Sequence, residues 1–256
     1  ILSQAVSAVW VLKFLTGKKA ILRLRVRCMK LKASRVRRIV SLGLSGFFMN
    51  LTNSLVQVVC NATLQAYGGG LYVGIMTIIN SLREVFSMPV QGLSNGAQPV
   101  AGYNYGAGQY SRVCQSIRFS VSVTVCYAAV FWALAMAVPG LLIQVFNNEA
   151  DVIQHGIPAL RIYFCLFIPM SLQMAGQGVF VSLGRSKQAV FFSLLRKAII
   201  VVPLTLLLPH VAGLGVKGVF LAEPVSNFVG GLACYITMRL TVMPEFSAME
   251  RARSAR

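Results

Sequence analysis

Six runs of apolar residues follow one another along the chain, at roughly 39–66, 71–98, 113–138, 157–183, 188–209 and 214–240, each bounded by Gly, Pro or charge. A membrane-spanning helix needs about 20 consecutive apolar residues, and every run is long enough. Inside lipid each backbone N–H and C=O must find a partner within its own segment, so the runs are predicted to be helices. A β-barrel would place a polar residue at every second position, and these runs do not. Ahead of them, Ile1 to Leu15 is apolar but too short to span, and reads as the end of another helix in a longer protein. The expected fold class is an all-α membrane protein, a six-transmembrane-helix bundle preceded by the end of another helix. The expected organisation is a helix end over 1–16, a basic linker over 17–38, the bundle over 39–244 and a tail over 245–256.

Composition supports the membrane reading. Of 256 residues, 56% are hydrophobic and 12% charged, with a mean hydropathy of +0.70; in soluble domains charged residues make up about a quarter. Six acids against 24 Lys and Arg leave a net charge of +18, which by itself would suit nucleic acid. The placement of the charge argues against a nucleic-acid partner: eleven basic residues fall between Lys13 and Arg38, and most others sit in short connections. Arg112 and Arg118, then Arg185 and Lys187, then Arg239, Arg251, Arg253 and Arg256 mark every second connection, whereas 67–70 is uncharged and 139–156 has only Glu149 and Asp151. Positive residues are retained on the cytoplasmic side, so linker and tail are expected there, in a multi-pass protein of the cell membrane. The mixed apolar and basic linker also suits contact with anionic membrane lipid.

Polar residues inside the runs indicate which helix faces avoid acyl chains. In 39–66, Gly43, Gly46, Asn50, Asn53, Gln57 and Asn61 recur at intervals of three and four, a stripe about 80° wide at about 100° per residue. In 71–98 the same device uses Thr77, Asn80, Ser81, Glu84, Gln91, Asn95 and Gln98. Met170, Gln173, Met174 and Gln177 share a face of the fourth run, and Glu223, Ser226, Asn227, Gly230 and Cys234 one of the sixth. Helix packing through small and amide residues would explain any one of them; four striped spans together favour a cavity. The candidate substrate or ion cavity is Asn50, Asn53, Gln57, Asn80, Glu84, Met170, Gln173, Met174 and Gln177. Glu84, near the middle of its run, is expected either to join an ion pair with another helix or to serve as a proton or cation site. Neighbouring Arg83 points about 100° away and is not expected to be its partner.

Pro89, Pro158, Pro169 and Pro203 mark expected bends. The six cysteines are scattered and apart from His155 and His210, so neither a metal site nor a disulfide framework is expected. No nucleophile elbow, zinc helix or Walker run occurs, so no catalytic residue, enzyme activity or cofactor is expected.

One stretch resists placement in lipid: "MPVQGLSNGAQPVAGYNYGAGQYSRV", Met88 to Val113. It resembles the link between the second and third helices of the C-terminal lobe in multidrug and toxic compound extrusion (MATE) transporters. The resemblance continues through "SLGRSKQAVFFSLLRKAIIVVPLTLLLP" (Ser182 to Pro209) and "GLGVKGVFLAEPVSNFVGG" (Gly213 to Gly231), covering nearly the whole chain. Gly92, Gly102 and Gly106 would let the backbone turn tightly there, with Gln98, Pro99, Asn104 and Tyr105 completing a structural corner.

The resemblance implies a secondary antiporter of two pseudo-symmetric six-helix lobes around a cavity that opens to alternate faces. It implies export of amphipathic organic cations, drugs and dyes among them, in exchange for Na+ or H+. The chain is similar to the C-terminal lobe preceded by the end of the last helix of the N-terminal one; the missing N-terminal lobe is the implied partner, and a lone lobe is not expected to transport. Family members that couple through an acid in the first helix of this lobe would need one in 39–66, which offers Asn50, Asn53 and Gln57 instead. Coupling would then reside in the other lobe, or Glu84 would contribute. A related activity, a flippase for lipid-linked saccharides, predicts a cationic cavity; a non-transporting membrane fragment is the third alternative.

Overall fold

The computed structural model describes residues 2–17 and 32–254, and every regular element among them is helical. The chain divides into two units, Ile1–Leu44 and Ser45–Arg256. In the first, α1 (Leu2–Thr16) is a short apolar helix whose Leu2, Val6, Trp10 and Phe14 are all exposed. Most of the basic linker, 18–31, lies outside the described residues, and from Ala33 the chain is helical again as the start of α2 (Ala33–Gly106).

In the second unit the rest of α2 is broken at Gly69, whose φ of 68° and ψ of −168° suit glycine alone. Gln57 and Arg83 would stand about 39 Å apart along an unbroken helix, yet they line one cleft, so the two arms fold back on each other. The uncharged turn expected at 67–70 is this break. Next come α3 (Tyr110–Ala137), the short α4 (Pro139–Gln144), and α5 (Ala150–Phe164) with α6 (Phe167–Ser182), a pair bent by 47°. Pro169 has no N–H to offer the carbonyl of Cys165, four residues back. The indole Nε1 of Trp132 donates to that carbonyl instead, at 3.2 Å, which holds the bend open.

The last two spans each contain a widened turn. α7 (Ser186–Leu194), a π-helical turn at Leu195–Val201 and α8 (Val202–Leu207) run as one rod. Pro203 removes the donor for the Ile199 carbonyl, and the preceding ladder shifts, with the Val202 N–H reaching back five residues to Lys197 O. α9 (Val216–Ser226), a second π turn at Asn227–Gly231 and α10 (Leu232–Ser254) form the other. With α2 taken as two arms and the bent pair as one span, the six expected membrane segments are present among the described residues.

Two apolar clusters hold the bundle. One joins Leu64, Ile75, Ile79 and Phe86 of α2 to Phe164, Phe167 and Phe220, with the Phe86 ring 4.7 Å from Phe131 and 5.6 Å from Phe164. The other joins Val113, Phe180, Phe192, Met238 and Phe246, where Phe180 stacks on Phe192 at 6.0 Å. α6 packs on both α3 and α10, and α5 on α9.

Three boundaries differ from expectation. The chain does not turn across Gly92–Gly106: Gly92, Gln98, Pro99, Gly102, Asn104, Tyr105 and Gly106 all lie in the last turns of α2, and the corner shrinks to 107–109, with Gly108 at φ 69°. Membrane helices tolerate Gly and Pro because other groups satisfy the freed backbone. Here the Asn104 amide donates to Val100 O at 2.8 Å, and Tyr105 packs between Tyr110 and Phe246. The expected loop at 139–156 is largely helical, since α5 starts at Ala150 and buries Val152 and Gly156 before its apolar run begins. The expected tail at 245–256 continues α10 to Ser254, anchored by buried Phe246 stacked on Tyr110 at 5.7 Å and by an Arg185–Glu245 ion pair.

Candidate functional site

The amide stripe of the first α2 arm and the polar face of the second meet across an open cleft of about 670 Å³. Asn50, Asn53, Gln57 and Asn61 form one wall, and Arg83, Glu84, Ser87 and Gln91 the next. Met170, Met174 and Gln177 of α6 close the third side with Ser193 and Arg196 of the seventh helix and its π turn. Seven of the nine expected cavity residues therefore converge: Asn50, Asn53, Gln57, Glu84, Met170, Met174 and Gln177. The Gln177 amide also donates to Ala189 O at 3.1 Å, tying α6 to α7.

Asn80 and Gln173 lie elsewhere. Asn80 lines a side pocket of about 40 Å³ behind the cleft, with Tyr163, Lys197 and Glu223, room for about one water. Asn53, Gln57 and Arg83 line both spaces and join them. Gln173 is buried at 2% exposure, its Oε1 without a hydrogen-bond partner among the described residues, and its backbone oxygen 4.0 Å from Cys234 Sγ of α10. It shares the face of Met170 and Gln177 by helical spacing, but its side chain is buried within the bundle, where its backbone approaches α10, and does not line the cleft.

Glu84 departs from the expected bridge to another helix. It pairs with its own neighbour, Arg83 Nη2 donating to Glu84 Oε1 at 3.1 Å, while its side chain stays 58% exposed. The long guanidinium arm curls around the helix arc that separates the two Cα–Cβ bonds, which backbone angles alone do not reveal. The result is an open ion pair on the cleft wall, neither a bridge to another helix nor a desolvated acid.

The buried charge lies deeper, at the two π turns. Glu223 Oε1 of α9 accepts from Lys197 Nζ at 2.7 Å and from Arg196 Nη1 at 3.2 Å. Arg196 Nη1 also donates to Asn227 Oδ1, and the Ser226 hydroxyl donates to Arg196 O at 2.9 Å. All three ionic side chains are at most 11% exposed. A π turn adds one residue to the helical circuit, so its flanking side chains are rotated relative to an ideal helix; such turns are frequent at functional sites. The turns can cross closely because Gly230 faces Arg196, where a Cβ would lie 3.1 Å from the Arg196 Cβ and Cγ, while Gly231 seats the second turn on α6: a Cβ there would lie 2.5 Å from Pro169 O. Arg196, Lys197 and Tyr163 were absent from the expected cavity. The available signal was Arg196–Lys197 in the middle of an apolar run, facing a run that carries Glu223.

Comparison with known proteins adds the following. The MatE family model matches residues 46–207. Among curated proteins, a FAD transporter of Shewanella oneidensis is 25% identical over 195 residues, covering 73% of this chain and 41% of that protein. Multidrug export protein MepA of Staphylococcus haemolyticus is 20% identical over 248 residues, covering 94% of this chain and 53% of its own length. The chain thus spans about half the length of the curated relatives it matches. Among solved structures, a ligand complex of the MATE multidrug transporter DinF-BH superposes with a TM-score of 0.82 at 31% identity, over 94% of this chain and 53% of that one.

Proposed function

Since this chain belongs to the MatE family, a multi-pass helical membrane protein by fold, we propose that it forms the C-terminal, cargo-binding lobe of a secondary active efflux transporter. The cargo is bulky and amphipathic, drugs and organic cations included, and is exchanged for Na+ or H+ across the cell membrane, with the linker and the C-terminal end on the cytoplasmic face. A second six-helix lobe completes the cavity.

The observation that carries this reading is the open cleft of about 670 Å³ in which amides, methionines and an exposed carboxylate converge from four membrane segments. Amides facing lipid would be costly; facing a wet cleft, they offer donors and acceptors to many partners. Met170 and Met174 add deformable, polarisable contact for rings and chains, a combination that suits promiscuous binding. Glu84, being open, can meet a cationic group. The Pro169 bend and the two π turns supply segments that can rearrange without breaking a regular ladder. The relatives carry different cargo by name, FAD in one and multiple drugs in another, so cargo choice lies in the residues of the cleft.

The test is efflux of a rhodamine dye from vesicles containing the intact protein, with the proton and sodium gradients collapsed separately. Efflux that stops when one gradient is removed supports the reading. Efflux indifferent to both, or no protein-dependent efflux of any amphipathic dye, overturns it. Glu84→Gln is expected to abolish rhodamine efflux at unchanged expression; unchanged efflux removes Glu84 from the mechanism.

A further inference from the structure

We infer that the deep wall of the cleft is a binding subsite for an anionic group, a phosphate or carboxylate, carried by an amphipathic ligand. It rests on the reading of the cleft as the cargo site and narrows the cargo class.

The charge balance comes first. Arg83, Arg196 and Lys197 line the cleft and its side pocket, and the acids that do so are Glu84 and Glu223. Arg83 and Glu84 compensate each other. Arg196 and Lys197 share one oxygen of one carboxylate, so the deep wall carries a surplus positive charge. The other acids described, Glu149, Asp151, Glu245 and Glu250, line neither space, and Glu245 is taken by Arg185. An uncompensated buried charge is among the costliest arrangements a fold can hold, and this one borders a cleft that a counter-charge can enter.

Donor capacity points the same way. Arg196 directs Nη1 at Glu223 and Asn227, while its Nε is buried with no partner among the described residues. Arg83 Nε and Ser87 Oγ are likewise buried and unpartnered. Arg83 and Ser87 line one side of the cleft and Arg196 the adjoining one, so their spare donors border the same space. A guanidinium presents its N–H groups as a planar fork that fits phosphate and carboxylate oxygens. Met170 and Met174, which share the third side of the cleft with Arg196, suit the apolar body of the same molecule. Head and body thus each find their own lining. Glu223 acts as an internal competitor: its carboxylate holds the two cations until an external anion shares them.

The test uses three probes with one ring system, 1-naphthyl phosphate, neutral 1-naphthol and cationic 1-naphthylmethylammonium, titrated calorimetrically into the intact protein in phosphatidylcholine nanodiscs. The phosphate probe is expected to bind at least 10-fold more tightly than the other two. Arg196→Gln and Arg83→Gln are each expected to weaken phosphate binding at least 10-fold and leave naphthol unchanged. Glu223→Gln is expected to tighten phosphate binding about threefold or more, a gain that a purely structural role would not produce. Equal binding of the phosphate and ammonium probes, or phosphate binding indifferent to both arginine variants, overturns the subsite. Weakened rather than tightened binding in a folded Glu223→Gln protein overturns the competitor role and with it the proposal. Adding phosphatidylglycerol separates the sources: Arg196-dependent loss of probe affinity assigns the site to a lipid phosphate, and unchanged affinity assigns it to a free solute. These outcomes concern binding alone, so a failed subsite leaves gradient-driven rhodamine efflux untouched, and failed efflux leaves the probe affinities readable.

Discussion

Two ion pairs within one membrane lobe show how placement, rather than residue type, decides what a charge can do. Arg83 and Glu84 are neighbours on one helix, and Glu84 is 58% exposed to the cleft. Lys197, Arg196 and Glu223 join two helices at paired π turns and are at most 11% exposed. The first pair lies on an open wall and is cheap to break. The second links two spans, where removal of one partner strands the others in a low-dielectric interior.

The comparison breaks most directly at Glu223. Glu223→Ala is expected to cost about 3–5 kcal/mol, the usual penalty for stranding buried charge, seen as a large drop in the thermal unfolding midpoint of the detergent-solubilised protein. A loss as small as that of an exposed pair would mean that the cluster is not a structural link. Next in size is Gly231→Val, which places a branched side chain where even a Cβ lies 2.5 Å from Pro169 O. About 1–3 kcal/mol is expected from such overpacking, and because it pushes the second π turn off α6 it should also weaken naphthyl phosphate binding. Unchanged unfolding would show that the second π turn need not seat on α6. Glu84→Gln marks the small end, with a stability change under about 1 kcal/mol, as for exposed pairs, alongside the loss of rhodamine efflux. A large stability loss there would erase the contrast between the two pairs.

The same contrast explains what could be read from the chain. Apolar run length located all six spans, because lipid allows few alternatives for a backbone. The amide stripe Asn50–Asn53–Gln57 was legible because that arm keeps ideal helical periodicity, and so were Met170, Met174 and Gln177. Where the periodicity breaks, reading failed. The π turn at Leu195–Val201 rotates Arg196 and Lys197 into positions that a count of 100° per residue does not give, although the face they meet, Glu223, Ser226, Asn227 and Gly230, was legible. Asn80 shares a face with Glu84 but stands among Tyr163 and Lys197, which belong to other helices and screen it from the open cleft. Gly92 to Gly106 reads as a turn by the chemistry of soluble proteins, and is helix where neighbours satisfy the freed groups. Arg83 reached Glu84 through side-chain length, a freedom that helical wheels ignore.

The most direct measurement of the central claim, that these polar side chains face a wet cargo cleft, is thiol accessibility. On a cysteine-free background, Asn53→Cys, Gln57→Cys and Gln91→Cys would be labelled with a membrane-impermeant methanethiosulfonate, and compared with Val130→Cys on an exposed apolar face of α3. The account predicts rapid labelling at the three cleft positions, slowed when an amphipathic dye is bound, and little at Val130. Labelling at the cleft positions as slow as at Val130 would contradict it.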